Sequence, residues 1–575
     1  MSLDLLLVSP PVANFGQCSS GISVLTPYLR SRGFDVRAWD LAIDAFHSFH
    51  SPEYVARCLQ KLEAAGGADE ELLATARRVI GDIDEAKRAL RRPDIARDHE
   101  SMRWAFRTIG DVGIVMTAAA FGRYDHNFRA FTIPSAMASF GALEAAVRDP
   151  ERNPYLAFLE EHALPRIARE QPKALGISVT YFSQLVPALT LAHLVREHLP
   201  EVKIVFGGAY LTAVDAEIET IPTSVMPAEA VILHDGEEAL EQWLALVVRG
   251  EGSEDDLPNT WLNRGDRFRR AANRRSVRTD LTKLPIPMWS ADGLELDKYL
   301  VPKYPIPLPL SRGCYWGRCE YCNISSQTAA SYRTRPTAMA IADMRAAIAE
   351  TGSNWFDFPV DSFRPRELHE LAKAILAEGL EVEWGAEVLL DPNFTDEVLE
   401  ELARSGLRCL RFGLESANAE TRKAMNKPTG SAATRIMKAC KANGVQTAVM
   451  LIAGFPTETQ AQLRETYDYL AENSDCIDFV TIHPFSLVPG APISHDPSKF
   501  GLYLLPEKSV MRTSLPFVST NPVGMRNEDL PRVIEAMRDG LKEFYPDLGE
   551  LWTVAIGGWM TFPACCVPSN GPKAN

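Results

Sequence analysis

The sequence predicts an α/β protein with two successive domains of parallel strands, and three observations carry that prediction. The chain of 575 residues exceeds what one hydrophobic core usually organises. Short apolar strands alternate with amphipathic helices in two separate series. Glycine-rich turns follow strands of the first series, and a cysteine cluster follows the opening strand of the second. We expect an amino-terminal doubly wound Rossmann-like domain with a helical insertion, then a partial (βα)6 barrel and a carboxyl-terminal extension.

The composition narrows the class of protein. Hydrophobic residues make up 46% of the chain and charged residues 23%, as in globular proteins. The formal net charge of −15 gives no basic footprint for a phosphate backbone, so nucleic acid is not an expected partner. The apolar runs are shorter than the roughly 18 residues of a membrane-spanning helix, so no membrane association is expected. The first residues do not resemble a signal peptide and the ten cysteines are sparse, so the expected location is the cytoplasm.

The first series of elements predicts a parallel sheet in a domain covering residues 1–250. The segment 46–172 is mostly helical and polar, and we interpret it as an insertion between the second and third strands. Residues 251–299 are rich in Arg, Asp and Asn, which is typical of a linker. The predicted strands of this domain are 3–8, 34–39, 174–180, 202–206 and 230–233.

The second series predicts six β/α units in a domain covering residues 300–495. In barrels of parallel strands the functional groups lie at the carboxyl ends of the strands. Residues 496–575 lose the regular pattern, and we expect this region to shape a substrate pocket. The predicted strands are 306–310, 355–360, 382–387, 409–413, 447–453 and 479–483.

Three cysteines, Cys314, Cys319 and Cys322, lie within nine positions just after the first strand of the second series. A structural zinc site normally has four protein ligands, and no further Cys or His occurs between residues 300 and 340. Three thiolates can instead hold a 4Fe-4S cluster with one iron left open. The alternatives are three ordinary buried cysteines or an unusual zinc loop.

With this spacing the sequence resembles the radical S-adenosylmethionine (radical SAM) superfamily. The usual spacing in that superfamily is C-x3-C-x2-C, and this chain has one extra residue in the first gap. The resemblance implies a 4Fe-4S cluster on the three cysteines, and S-adenosylmethionine (SAM) bound to the open iron and cleaved to a 5′-deoxyadenosyl radical. Glu458 is expected only to lie on the first turn of a helix, where its charge suits the helix dipole. The common Gly-Glu pair is absent after the second strand, where Asp361 or Ser362 would have to serve. The residues implied to contact SAM are Tyr321, Asp361, Ser362, Glu387, Glu415, Gly454 and Pro456.

The amino-terminal domain looks like the cobalamin-binding domain of cobalamin-dependent radical SAM enzymes. Ala13 stands where a cobalt-binding histidine would lie in the motif D-x-H-x-x-G, which leaves the lower cobalt ligand unassigned. The alternative is a flavodoxin-like domain that holds no cofactor and supports the barrel. The residues implied to contact cobalamin are Ser9, Pro10, Pro11, Ser178, Thr180, Tyr181, Gly207, Gly208, Ala209, Tyr210, Asp235, Gly236 and Glu237.

The resemblance implies a methyltransferase acting on an unactivated carbon of a natural product or peptide. No catalytic residues are expected beyond the cofactors, because the cofactors carry the chemistry. The implied partners are a small-molecule or peptide substrate and a reducing protein such as flavodoxin or ferredoxin. One alternative is a cobalamin-dependent radical SAM cyclase or ring-rearranging oxidoreductase, and another is a cobalamin or redox sensor. No motif identifies the substrate or a role for Cys565 and Cys566.

Overall fold

A computed structural model describes residues 3–12, 15–127, 130–272, 276–290, 294–328, 331–428, 430–506 and 509–545, with the backbone alone at positions 96, 360 and 361. The chain divides into two compact units. Unit 1 comprises residues 1–304 together with 508–513. Unit 2 comprises residues 305–507 together with 514–575. The expected positions Ala13, Cys565 and Cys566 lie outside the described residues.

Unit 1 is built on a seven-stranded sheet in the order β2-β1-β3-β4-β5-β6-β7. The first five of these strands are parallel, which confirms the doubly wound domain. Strand β1 is completely buried because both of its faces are covered by other elements, which explains its unbroken apolar run. The strands are β1 (Leu5–Ser9), β2 (Val36–Asp40), β3 (Ala174–Ser178), β4 (Lys203–Gly207), β5 (Ala230–Ile232), β6 (Thr260–Asn263) and β7 (Phe268–Arg270).

Strands β6 and β7 fall within residues 251–299, the segment whose composition is typical of a linker. They pair antiparallel, β6 with β5 and β7 with β6, and thereby extend the sheet. Only alternate side chains of β6 are buried, and Arg269 and Arg270 of β7 are exposed. Strands of four and three residues, the outer one carrying exposed arginines, leave little hydrophobic periodicity in the sequence.

The insertion between β2 and β3 is helical, as the sequence predicts. Several of its helices begin at side-chain caps, with the hydroxyl of Ser51 accepting from the amide of Tyr54 and the carboxylate of Asp98 accepting from that of Ser101. The longer α-helices of unit 1 are Ser20–Ser31, Leu41–Phe49, Pro52–Ala65, Glu70–Leu90, His99–Ala119, Phe140–Val147, Leu164–Glu170, Leu185–His198 and Glu237–Leu244, and the shorter ones are Tyr155–Phe158 and Ala209–Ala213.

Unit 2 is built on a six-stranded parallel sheet whose strands follow one another in chain order. All six strands predicted for the barrel are present, and the sheet therefore has the strand arrangement of a (βα)6 unit. The second strand is longer than expected and carries Ser362 within it. The strands are β8 (Ile306–Pro307), β9 (Trp355–Phe363), β10 (Glu383–Val388), β11 (Leu407–Glu415), β12 (Gln446–Ala453) and β13 (Phe479–Pro484).

Helices connect these strands and bury their apolar faces. The region after residue 496 adds an antiparallel ribbon, Leu502–Leu504 with Phe517–Ser519, and one long helix. No described helix is both long and apolar enough to cross a membrane. The α-helices of unit 2 are Ile324–Gln327, Thr337–Thr351, Pro365–Ala377, Asp396–Arg404, Ala419–Ala424, Ala433–Ala442, Gln460–Glu472, Pro492–His495 and Leu530–Leu541.

Candidate functional site

The cysteine loop leaves the sheet directly after β8 and is closed by a short antiparallel ribbon, Ser311–Arg312 with Arg333–Thr334. Two glycines shape this loop with left-handed backbone, Gly313 at φ 83° and Gly317 at φ 58°. A Cβ on Gly317 would stand 2.9 Å from the Ser325 hydroxyl oxygen. Glycine is therefore required here by conformation and by space.

The three thiols of this loop differ in burial, since Cys319 is buried and Cys314 and Cys322 are half-buried. Burial raises the pKa of the Cys319 thiol to about 11, while the charge of Lys427 opposes that rise. In the described part of the chain no three His, Cys, Asp or Glu side chains converge as they would around one metal ion. In a 4Fe-4S cluster each thiolate bonds to a different iron, so its ligands need not meet at one point. The donor set of three thiols fits such a cluster.

A buried ion pair lies beside these thiols. Lys427 donates from Nζ to Oε1 of Glu415 at 2.8 Å, and both side chains are less than a tenth exposed. The Tyr321 hydroxyl donates to the same oxygen at 2.8 Å and lies 3.3 Å from Lys427 Nζ. Burial alone would lower the pKa of Lys427, but Glu415 and the thiols of Cys319 and Cys314 raise it above its usual value. The lysine is therefore charged.

The end of β11 is shaped around this pair. Glu415 has left-handed backbone at φ 62°, which turns its side chain at the strand end. A Cβ on Gly413 would stand 2.5 Å from Oε1 of Glu415 and 2.7 Å from Nζ of Lys427. The structure thus brings the predicted residues Tyr321 and Glu415 together and adds Lys427, which the sequence analysis missed.

Other predicted SAM contacts lie at neighbouring strand ends. Ser362 is buried near the end of β9, and its hydroxyl has no hydrogen-bond partner among the residues that the structure describes. A buried hydroxyl without a partner is costly, so this position fits a group that binds a ligand. Glu387 is half-buried near the end of β10, within electrostatic range of Arg411. The side chain of Asp361 lies outside the described residues.

The turn after β12 differs from expectation at one residue. Glu458 does not decorate an exposed helix turn: its side chain is fully buried, and Oε2 accepts from the Gly454 amide at 2.7 Å. Burial raises the pKa of Glu458 to about 7, although this bond and one from Ser416 oppose the rise. The Gly454 turn, at φ 81°, directs the carboxylate inward. Pro456 is buried beside it, against Gly524.

In unit 1 the predicted cobalamin contacts begin at the carboxyl ends of β1 and β3. In a sheet of order 2-1-3-4-5 these two neighbouring strands form the topological switch point, where a ligand crevice opens. Ser9 ends β1 with a buried hydroxyl that has no hydrogen-bond partner in the described part of the chain, and Ser178 ends β3 half-buried. The orphaned Ser9 hydroxyl fits a ligand-binding crevice.

Gln184, which the sequence analysis did not identify, joins the loops on either side of this crevice. Its side-chain amide donates to the carbonyl of Pro10 at 2.7 Å, and its Oε1 accepts from the amide of Thr180 at 2.7 Å. Tyr181, which directly follows Thr180, is 56% exposed. Pro11 is buried in the first loop.

The turn after β4 lies close to the backbone that follows β3. Gly208 has φ 110°, and a Cβ there would collide with the carbonyl of Val179, so only glycine fits. Gly207 precedes it in the strand, and Ala209 follows it on an exposed position. Tyr210 is buried and donates its hydroxyl proton to the carbonyl of Met511.

The turn after β5 presents two acidic residues that already have protein partners. Asp235 accepts from the Thr279 amide at 2.7 Å, and buried Glu237 accepts from the Thr279 hydroxyl at 2.7 Å. Gly236 lies between them, half-buried. These bonds tie the turn to the segment that follows β7.

Comparisons with known proteins agree with this architecture. Residues 308–470 match the model of the radical SAM superfamily. A curated relative, the bacteriochlorophyllide d C-12(1)-methyltransferase of Chlorobaculum tepidum, is 29% identical over 195 residues, covering 32% of this chain. The chain spans only 41% of the length of that relative.

Two sets of solved structures share the fold over most of this chain. The radical SAM methyltransferase TsrM from Kitasatospora setae, solved with cobalamin and a 4Fe-4S cluster, matches with a TM-score of 0.57 and 14% identity, over 88% of this chain and 81% of its own. The cobalamin-dependent SAM radical enzyme OxsB, solved with aqua-cobalamin and SAM, matches with a TM-score of 0.54 and 13% identity, over 66% of this chain and 60% of its own.

Proposed function

We propose that this chain is a cobalamin-dependent radical SAM methyltransferase, because residues 308–470 match the model of the radical SAM superfamily. It would move a methyl group to an unactivated carbon of a natural-product or peptide substrate. The observation that carries the proposal is the loop of three thiols at the carboxyl end of β8, with three cluster ligands rather than four. Support comes from the curated relative and from TsrM, both of which are named as methyltransferases.

In this proposal Cys314, Cys319 and Cys322 hold a 4Fe-4S cluster, which supplies one electron to bound SAM. Tyr321 and Lys427 fix the carboxylate of Glu415 beside the thiols. The unpartnered hydroxyl of Ser362 is available to a polar group of SAM. Further contacts are assigned to Asp361, Glu387, Gly454 and Pro456.

Cobalamin, which carries the methyl group, is assigned to the crevice of unit 1 between the ends of β1 and β3. Gln184 holds the loops on either side of this crevice in place. The unpartnered hydroxyl of Ser9 is available to an amide arm of the corrin. The remaining contacts are assigned to Pro10, Pro11, Ser178, Thr180, Tyr181, Gly207, Gly208, Ala209, Tyr210, Asp235, Gly236 and Glu237.

The proposed chemistry needs no acid–base pair from the protein. The role of the protein is to bind, orient and shield the cofactors and the substrate. A one-electron donor protein such as flavodoxin or ferredoxin would supply the reducing equivalent. TsrM has been solved with tryptophan as substrate, which is consistent with a small molecule in this fold class.

The test is anaerobic incubation of the reconstituted chain with methyl-labelled SAM, hydroxocobalamin and dithionite. We expect 5′-deoxyadenosine and S-adenosylhomocysteine, because methylation of cobalamin and radical formation consume SAM in different ways. A variant carrying Cys314→Ala, Cys319→Ala and Cys322→Ala should form no 5′-deoxyadenosine. Cys440→Ala, a matched control at another buried cysteine, should leave it unchanged.

A second candidate is a cyclase or ring-rearranging enzyme with the same cofactors. The match to OxsB is consistent with it, since OxsB is named as a cobalamin-dependent SAM radical enzyme. Formation of 5′-deoxyadenosine without S-adenosylhomocysteine would select this candidate. Absence of any SAM cleavage under strong reductant would contradict both and favour a sensor.

A further inference from the structure

The buried lysine beside the cysteine loop is the most informative feature outside the predicted site. Lys427 lies just after the helix Ala419–Ala424, with its side chain only 7% exposed. A buried ammonium is retained only where a partner compensates its lost hydration. Glu415 provides that partner at 2.8 Å.

The segment that carries Lys427 is hydrogen-bonded to the cysteine loop. Asn426, the residue before Lys427, donates its side-chain amide at 2.9 Å to the carbonyl of Arg318, which directly precedes Cys319. Tyr321, two positions after Cys319, has its hydroxyl 3.3 Å from Lys427 Nζ. Lys427 therefore holds a fixed positive charge beside the thiols.

We propose that Lys427 is a positioning residue that sets the reduction potential of the cluster, with Glu415 and Tyr321 holding its ammonium beside Cys319 and Cys314. This inference rests on the proposed function, because it requires a 4Fe-4S cluster on the three thiols. A fixed positive charge stabilises the more negative of two redox states. The potential of an iron–sulfur cluster responds to such charge and to hydrogen bonding around its sulfurs.

The redox step is a one-electron transfer in which no bond forms or breaks. One electron passes from a low-potential reductant, dithionite in the test, to the oxidised cluster, which gains one negative charge. Because the side chains of Lys427 and Glu415 are both less than a tenth exposed, Lys427 acts through a low effective dielectric and its charge is only weakly screened. Removing that charge should make the cluster harder to reduce.

The experiment is a redox titration of the anaerobically reconstituted full chain without SAM, followed by electron paramagnetic resonance of the reduced cluster. For Lys427→Met we expect the ratio of reduced to oxidised cluster, at the wild-type midpoint, to fall at least tenfold. For this one-electron couple that is a shift of about 59 mV to lower potential. Lys427→Arg, which keeps the charge, should restore the ratio to within about threefold.

A second variant tests the same idea from the other partner. Glu415→Gln keeps an acceptor for Tyr321 and Lys427 but removes the negative charge, so the midpoint should rise. Lys441→Met serves as the matched control, since Lys441 is half exposed and pairs with Asp478 at 3.3 Å. Its midpoint should equal that of the wild type, and iron and sulfide content should match in all variants.

Unchanged midpoints in Lys427→Met and Glu415→Gln, at full cluster content, would overturn the role of Lys427 and leave the proposed function standing. If Lys427→Met fails to hold a cluster, Glu415→Gln alone decides the matter by the direction of its shift. A wild-type chain that takes up no four-iron cluster would instead contradict the proposed function itself.

Discussion

Arg411 and Asp357 form an ion pair within the six-stranded sheet of unit 2, with 2.7 Å between Nη2 and Oδ1 and both side chains less than a tenth exposed. The two residues lie on β11 and β9, with β10 between them. The pair therefore fastens strands that are not neighbours. It also places a guanidinium within electrostatic range of Glu387, one of the proposed SAM contacts.

Replacing Arg411 with Met should destabilise the protein strongly, because it leaves the Asp357 carboxylate buried without its partner. Loss of one member of a buried pair typically reduces the free energy of unfolding by about 3–5 kcal/mol. Urea unfolding measures that change. Arg408→Met is the control, since its pair with Glu383 is about a third exposed, and it should lose less than about 1 kcal/mol. Similar small losses in both variants would refute the structural role of the pair.

Glu458 should make the stability of unit 2 depend on pH. Its folded pKa of about 7 lies above the usual value of 4.5, so the unfolded chain loses this proton first as the pH rises. The contribution of Glu458 to the free energy of unfolding is therefore highest below about pH 4.5, falls between about pH 4.5 and pH 7, and is constant above about pH 7. The difference corresponds to about 3 kcal/mol.

Glu458→Gln isolates this contribution because the amide mimics the protonated acid and does not titrate. Relative to the wild type, the variant should gain free energy of unfolding as the pH rises from 5 to 7, as measured by urea unfolding at several pH values. Parallel pH profiles for the two proteins would show that Glu458 is ionised in the folded state throughout.

The turn after β4 provides a test of the crevice in unit 1. Gly208→Ala forces a Cβ into the Val179 carbonyl at a φ of 110°, whereas a Cβ on Gly81, in the helix Glu70–Leu90, meets no described atom within 4 Å. Gly208→Ala should abolish retention of cobalamin, and Gly81→Ala should keep it. The visible spectrum of protein purified anaerobically from cobalamin-fed cells distinguishes the two. Equal retention would place cobalamin away from this turn.

His126 should make unit 1 sensitive to acid. Its ring is buried with Nε2 2.7 Å from the Tyr155 hydroxyl, and burial lowers its pKa to about 3. The unfolded chain takes up this proton near pH 6.5, so the stabilisation is complete above that pH and is lost as the pH falls toward 3. His126→Gln should unfold at lower pH than the wild type in acid titrations followed by circular dichroism. His198→Gln, at an exposed ring, should leave the acid transition in place.

The alternation of strands and helices was predictable because each main strand is an apolar run followed by a turn. The strands of unit 2 that were predicted from sequence are all present, including Phe479–Pro484. The two antiparallel strands Thr260–Asn263 and Phe268–Arg270 were not predictable, because strands of four and three residues are too short to show a hydrophobic pattern.

The composition of the cysteine site was predictable, but its electrostatics were not. Local spacing identifies Cys314, Cys319 and Cys322 as a group, whereas Lys427 reaches Tyr321 across 106 positions of the chain. A lysine after a helix reads as an exposed residue in the sequence. In the structure Lys427 is only 7% exposed, and the left-handed turn at Glu415 and the space left by Gly413 accommodate its side chain.

Unit 1 is completed by residues 508–513, which the chain reaches only after most of unit 2. The amide of Met511 donates to Glu217 at 2.7 Å and its carbonyl accepts from Tyr210. A gene truncated after codon 304 would therefore encode the first half without a piece of its own interior. Recombination at one junction cannot exchange either half intact, so chimaeras with relatives require at least a second crossover near the 3′ end of the gene.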